Sequence, residues 1–172
     1  MRTWLALLLG AVLGVVAGAG GMLGAFPYLF PPPVLDEPAP DAAALAAGGT
    51  TSRLGTFEFD RDAPGRDPIH WANGTGGIYR SGEQPVLRFE ADFETGPGPK
   101  FVVYLNTVPV GEEAEFTADA GRRMVAPLKS FRGAQNYHLP VDLDLARYHT
   151  VTILCDAFGV YIGSAVLPTA SG

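Results

Sequence analysis

The chain has 172 residues, a formal net charge of −6, an isoelectric point near 4.9, 22 glycines, 15 prolines and one cysteine. The negative balance repels phosphate backbones and argues against a nucleic-acid partner. The single cysteine, Cys155, excludes an intrachain disulfide, a Cys-x-x-Cys redox pair and a Cys-x-x-Cys-His haem attachment.

No charged residue falls between Arg2 and Asp36, and Trp4 to Phe26 is an unbroken uncharged, mostly apolar run. At about 1.5 Å per residue it is long enough to cross a hydrocarbon core of roughly 30 Å. Residues 1–35 are therefore expected to form a short cytoplasmic N-terminus and one transmembrane signal-anchor helix in a plasma or inner membrane. Arg2 precedes the run and Asp36, Glu37 and Asp41 follow it, which places the C-terminal domain outside. Ala17-Gly18-Ala19 offers the competing reading of a cleaved signal peptide, against which the apolar run continues through Met22, Leu23 and Phe26. Under both readings the domain is exported. Gly10, Gly14 and Gly18 form a small-residue ridge through which two such helices could dimerise, although glycine is common in membrane spans for other reasons.

Pro27, Pro31, Pro32 and Pro33 end the helix, and residues 36–53 read as a Pro/Ala/Gly-rich linker containing a short helix from Asp41 to Ala47. From 54 to 168 the apolar period becomes two. Leu87, Phe89, Ala91 and Phe93 alternate with Arg88, Glu90, Asp92 and Glu94, and Phe57 and Phe59 alternate with Glu58 and Asp60, as half-buried strands require. Further β-rich runs are Gly77 to Arg80, Phe101 to Asn106, Tyr148 to Cys155 and Gly159 to Leu167. Asn73-Gly74-Thr75 reads as a hairpin turn first and a glycosylation acceptor second. Val110 to Met124, with Glu112, Glu113, Glu115 and Asp119, reads as a long acidic connection. The fold class is all-β, an antiparallel sandwich or barrel of about seven strands after one transmembrane helix.

Several segments fall in one familiar order: Gly55-x-Phe57, His70-x-x-x-Gly74, Phe93, Pro99, Val103-Tyr104-Leu105, Gly133-x-Gln135-Asn136-Tyr137-x-Leu139-Pro140 and Val151-x-Ile153-Leu154-Cys155-x-x-Phe158. From about Leu54 to Leu167 the chain resembles the DM-thirteen domain family. The resemblance implies a β-rich extracytoplasmic domain of an electron-transfer system acting on cell-surface proteins. It also implies a characteristic cysteine, here Cys155, acting as a naked thiol or as a prosthetic-group ligand. Leu154 stands where many relatives carry Trp, and Lys100 follows Pro99 where an acidic residue is usual.

Cys155 shares strand parity with Val151 and Ile153 and is expected to point inward, where a thiol can be simply a small hydrophobe. The sharper reading makes it a redox thiol, alone or with His70 or His138. His149 lies six residues away, roughly 20 Å along a strand, beyond reach. A haem held by Cys155 with His70 or His138 is the cofactor version, unsupported by any local ligand spacing, and no metal site is expected. Two functions follow. One is a membrane-anchored accessory domain of a redox or electron-transfer system, rather than a stand-alone catalyst, meeting an extracytoplasmic redox or surface protein. The other is a non-catalytic binding or adhesion module with a structural cysteine.

Overall fold

The computed structural model describes residues 2–40, 48, 51–61, 67–108 and 121–168. Helix α1 spans Arg2–Leu29. From Thr3 to Leu29 it is long and apolar enough to cross a membrane, and its side chains are left almost wholly exposed by the rest of the chain. Gly10, Gly14 and Gly18 lie on this open surface, with nothing close to where a side chain would begin.

The two-residue period yields two sheets. The first has strand order β1 (Leu35–Asp36), β8 (Gly133–His138), β4 (Gln84–Phe89), β3 (Ala72–Ser81) and β2 (Thr51–Phe59), with β5 (Glu94–Thr95) paired to β3. The second has the order β10 (Val160–Val166), β9 (Thr150–Cys155), β6 (Phe101–Asn106) and β7 (Arg123–Pro127). Pairing is antiparallel apart from β1, which runs parallel to β8. The fold is thus all-β and sandwich-like.

The inner faces meet in one core. From the first sheet come Phe57, Phe59, Ile78, Leu87, Phe89 and Tyr137, and from the second Phe101, Val103, Leu105, Val151, Ile153 and Ile162. Gly76 is paired with Phe57 on one side and Phe89 on the other. Because it has no side chain, the Phe57 ring lies across it and meets Phe89 edge-on at 6.1 Å. Phe59 and Phe93 complete the cluster, at 5.3 and 4.5 Å from Phe89. Aromatic edges directed at faces add to area burial.

Several readings of the sequence change. The strand expected to run on to Phe93 stops at Phe89, since Ala91 and Asp92 form a turn, although Phe93 stays buried. Asn73-Gly74-Thr75 is not a hairpin turn but lies inside β3. There Gly74, at φ 104°, passes beneath the Asp92–Phe93 backbone, and the Thr75 amide and hydroxyl donate to the Asp92 carboxylate. The connection expected from Val110 to Met124 ends early, because Arg123 and Met124 open β7. Its residues 110–120, like those of the short helix from Asp41 to Ala47, lie outside the described residues.

The stretch after α1, read from composition as spacer, is strapped to the sandwich. Ser130 Oγ donates to the Pro33 carbonyl at 2.7 Å, Leu35 N to Arg132 O at 3.1 Å and Glu37 N to Ala134 O at 3.1 Å. The Glu37 carboxylate accepts from Lys129 Nζ at 2.8 Å and from Asn136 N at 2.7 Å. Beneath the strap Arg88 is 5 % exposed. Its guanidinium donates to Glu90, to the Glu37 and Pro38 carbonyls and to Asn136 Oδ1.

Partial burial raises the Glu37 pKa, but the hydrogen bonds from Lys129 and Asn136 and the charges of Lys129 and Arg88 outweigh it, so the net value falls below the ordinary 4.5. A carboxyl whose pKa is lower folded than unfolded contributes stability that is complete above the unfolded value and disappears as pH falls through the folded one. Urea titrations of the wild type and Glu37→Gln should therefore differ by on the order of 1 kcal/mol at neutral pH, and the difference should shrink below pH 4.5. A pH-independent difference would remove the ionic strap. Gly76→Ala should cost about 1–3 kcal/mol in the same assay by driving a methyl into the Phe57 ring.

Candidate functional site

β9 carries its inward residues at alternate positions, so Val151, Ile153 and Cys155 all enter the core. Cys155 is the last residue of the strand, paired with Phe101 on β6 and Val160 on β10, and is 3 % exposed. Its S–H donates to the Pro99 carbonyl at 3.1 Å. The acceptor is a peptide oxygen, which engages the protonated thiol and not the thiolate.

The covering segment is unusual in its backbone. Lys100, at φ 52°, is the one non-glycine residue with positive φ among the described residues. Its carbonyl accepts from Asp156 N at 3.1 Å, and the Cys155 carbonyl closes the following turn by accepting from Gly159 N at 2.8 Å. Left-handed backbone at a side-chain-bearing residue is strained and is held only by surrounding contacts. The thiol thus lies one peptide beneath a strained surface residue. Phe158, at the tip of the turn, is 72 % exposed. The Asp156 carboxylate faces away from the thiol's side of the strand and accepts from the Tyr104 hydroxyl at 2.9 Å. Partial burial and this carboxylate raise the Tyr104 pKa.

The histidines do not converge on the thiol. His70 lies in the loop before β3, where its Nδ1 is 2.8 Å from Asp67 Oδ2 and its amide donates to Asp67 Oδ1 at 2.7 Å. These hydrogen bonds, with that from the Ile69 amide, hold the Asp67 pKa down to about 2. His138 is exposed at the end of β8 and lines a recess with Leu105 and Arg123. Leu105 is four residues along β6 from the Phe101 that pairs with Cys155, so about 13 Å of strand separates the two places. His149 precedes β9 at the same far end, its amide donating to Asn106 O.

A haem ligated by Cys155 with His70 or His138 does not fit this arrangement. The thiol is packed among core side chains and already bonded, and among the described residues neither histidine lines a cavity together with it. Among the described residues, no three His, Cys, Asp or Glu side chains are grouped to hold a metal. What the site offers is one covered thiol, and its cover was not visible in local sequence, since the φ of Lys100 depends on how its segment packs.

Replacing Lys100 by Gly removes strain of roughly 1–2 kcal/mol and adds glycine's entropic cost of roughly 0.5–1 kcal/mol. The variant should be as stable as the wild type or more stable by up to about 1 kcal/mol, as read by thermal unfolding. A clear destabilisation would show that the Lys100 side chain, not its backbone, secures the cover.

No curated protein and no solved structure matches the chain significantly. A model of the family described as Electron transfer DM13 matches residues 65–167, a span that holds β3 to β10, the Pro99–Lys100 cover and Cys155. Extending over more than half of the chain, this match shows that the protein belongs to the DM13 electron-transfer family.

Proposed function

We propose that the protein is a membrane-tethered accessory module of an extracytoplasmic redox or electron-transfer system, with Cys155 as its redox-capable side chain. The observation that carries the reading is the family match, which encloses a thiol lying one strained peptide below the surface. The tether is α1 in a single-pass arrangement. Arg2 on its short side and Asp36 and Glu37 on the other favour a cytoplasmic N-terminus and an external domain. The partner is a redox or surface protein that meets the covered end of the sandwich.

A second reading has its own support. Cys155 is packed with Val151 and Ile153 and its S–H is satisfied, as in a binding or adhesion module whose cysteine is only a small core residue. Acid-quenched alkylation of full-length protein from its native host, followed by mass spectrometry, separates the two. The redox reading expects a reversibly oxidised fraction at Cys155 and a Cys155→Ala variant that folds but loses function in the host. A thiol always recovered reduced, with a fully functional Cys155→Ala variant, would transfer the protein to the second class.

A further inference from the structure

Two cavities adjoin one another between the C-terminal turns of α1 and the end of the sandwich that holds the thiol, sharing Pro27, Pro32 and Phe131 in their walls. The one toward the middle of α1, of about 260 Å³, is lined by Leu23, Phe26, Phe30, Gly98 and Pro99 and is almost wholly apolar. The Phe26 and Phe30 rings form one wall, 5.2 Å apart. The outer, of about 290 Å³, has Tyr28 and Trp71 on its sides and Glu94 and Arg132 at its mouth. Arg132 Nη2 is 3.2 Å from Glu94 Oε1, and both side chains are solvent-accessible.

On the reading that α1 spans a bilayer, the depths of these cavities are fixed. Leu23 lies about 9 Å below Leu29 along the helix axis, so the Leu23 and Phe26 side of the apolar cavity lies at the level of acyl chains, while its Phe30 and Pro32 side and the outer cavity, beyond the end of the helix, lie at the level of headgroups. We propose that this cleft binds one zwitterionic phospholipid of the surrounding bilayer. An acyl chain lies against Leu23, Phe26 and Phe30. The phosphate meets Arg132, and the ammonium meets Glu94 and the Tyr28 ring. Opposite charges at one mouth complement a zwitterion. An anionic head would face Glu94 with no cation to offer it, and a headless diacylglycerol, with neither phosphate nor ammonium, would gain nothing from the Arg132–Glu94 pair, which already answers itself. Pro99, which lines the apolar part, is the residue whose carbonyl holds the Cys155 thiol, so the lipid lies against the cover itself.

The full-length chain is purified in detergent and titrated with phosphatidylcholine, phosphatidylglycerol and diacylglycerol of identical acyl chains, with bound lipid counted by native mass spectrometry. One phosphatidylcholine should be retained, at least about tenfold more tightly than either of the others. Glu94→Gln combined with Arg132→Gln should erase that preference, and Phe26→Ala should weaken all three lipids alike. Equal retention of the three lipids, or a preference that survives in the double variant, would overturn the proposal. Because the proposal rests on the anchor reading, a fluorescent probe at Leu13 is read in vesicles carrying a nitroxide at the bilayer centre. An unquenched probe removes the anchor, whereas a quenched probe without lipid preference removes only the cleft.

Discussion

Arg88 is a cation held at 5 % exposure on the outer face of a sheet, and it can remain there only because other parts of the chain bring acceptors to it. A buried guanidinium with unmet donors would cost several kcal/mol. Glu90 and Asn136 supply side-chain oxygens, and the Glu37 and Pro38 carbonyls supply the rest from about fifty residues upstream. The proline-rich stretch is suited to this role. Prolines have no amide hydrogen to satisfy and keep their carbonyls free to accept, so Pro33 and Pro38 serve as acceptors while the amides of Leu35 and Glu37 pair with the β8 side.

The same strap fixes how the domain sits relative to α1. With Pro33 bonded to Ser130 and Leu35 to Arg132, only residues 30–32 remain between the end of the helix at Leu29 and the first attachment to the sandwich. A tether of that length cannot let the domain roam as a flexible linker of tens of residues would. It commits one end of the sandwich to face the helix, and that end is where β1, β6 and β8 begin and β9 finishes. Gly98, Pro99 and Phe131 therefore stand beside α1. This placement follows from where the strap is bonded, not from any property of the cysteine.

Much of the fold was legible because it depends on neighbours in sequence. Phe57 and Phe59, Leu87 and Phe89, and Val151, Ile153 and Cys155 all take the faces that alternation assigns them, and their burial follows. The failures share a different cause. Arg88 occupies a polar position in a clean alternation, and nothing nearby reveals that a distant segment covers it. Leu35–Asp36 becomes a strand because β8 has an open edge, whereas its own composition suggests spacer. Gly74 looks like a turn residue, yet its positive φ serves a close crossing under Asp92 and Phe93. At the site, the inward direction of Cys155 was legible from parity. Its acceptor, the Pro99 carbonyl, comes from a segment more than fifty residues earlier in the chain.

The energetics of the cover bear on how a buried thiol can belong to an electron-transfer family. Two hydrogen bonds join the cover to the end of β9, from Cys155 Sγ to Pro99 O and from Asp156 N to Lys100 O. Each is worth about 1 kcal/mol net once the exposed groups are rehydrated. Releasing Lys100 from its left-handed conformation returns roughly 1–2 kcal/mol of strain, which offsets much of that cost. Opening confined to this segment breaks those two bonds and uncovers Cys155 and Phe101, which belong to the same core as the phenylalanine cluster around Gly76. Val151 and Ile153 differ in lying farther from the end of the same strand, away from the Pro99–Lys100 segment.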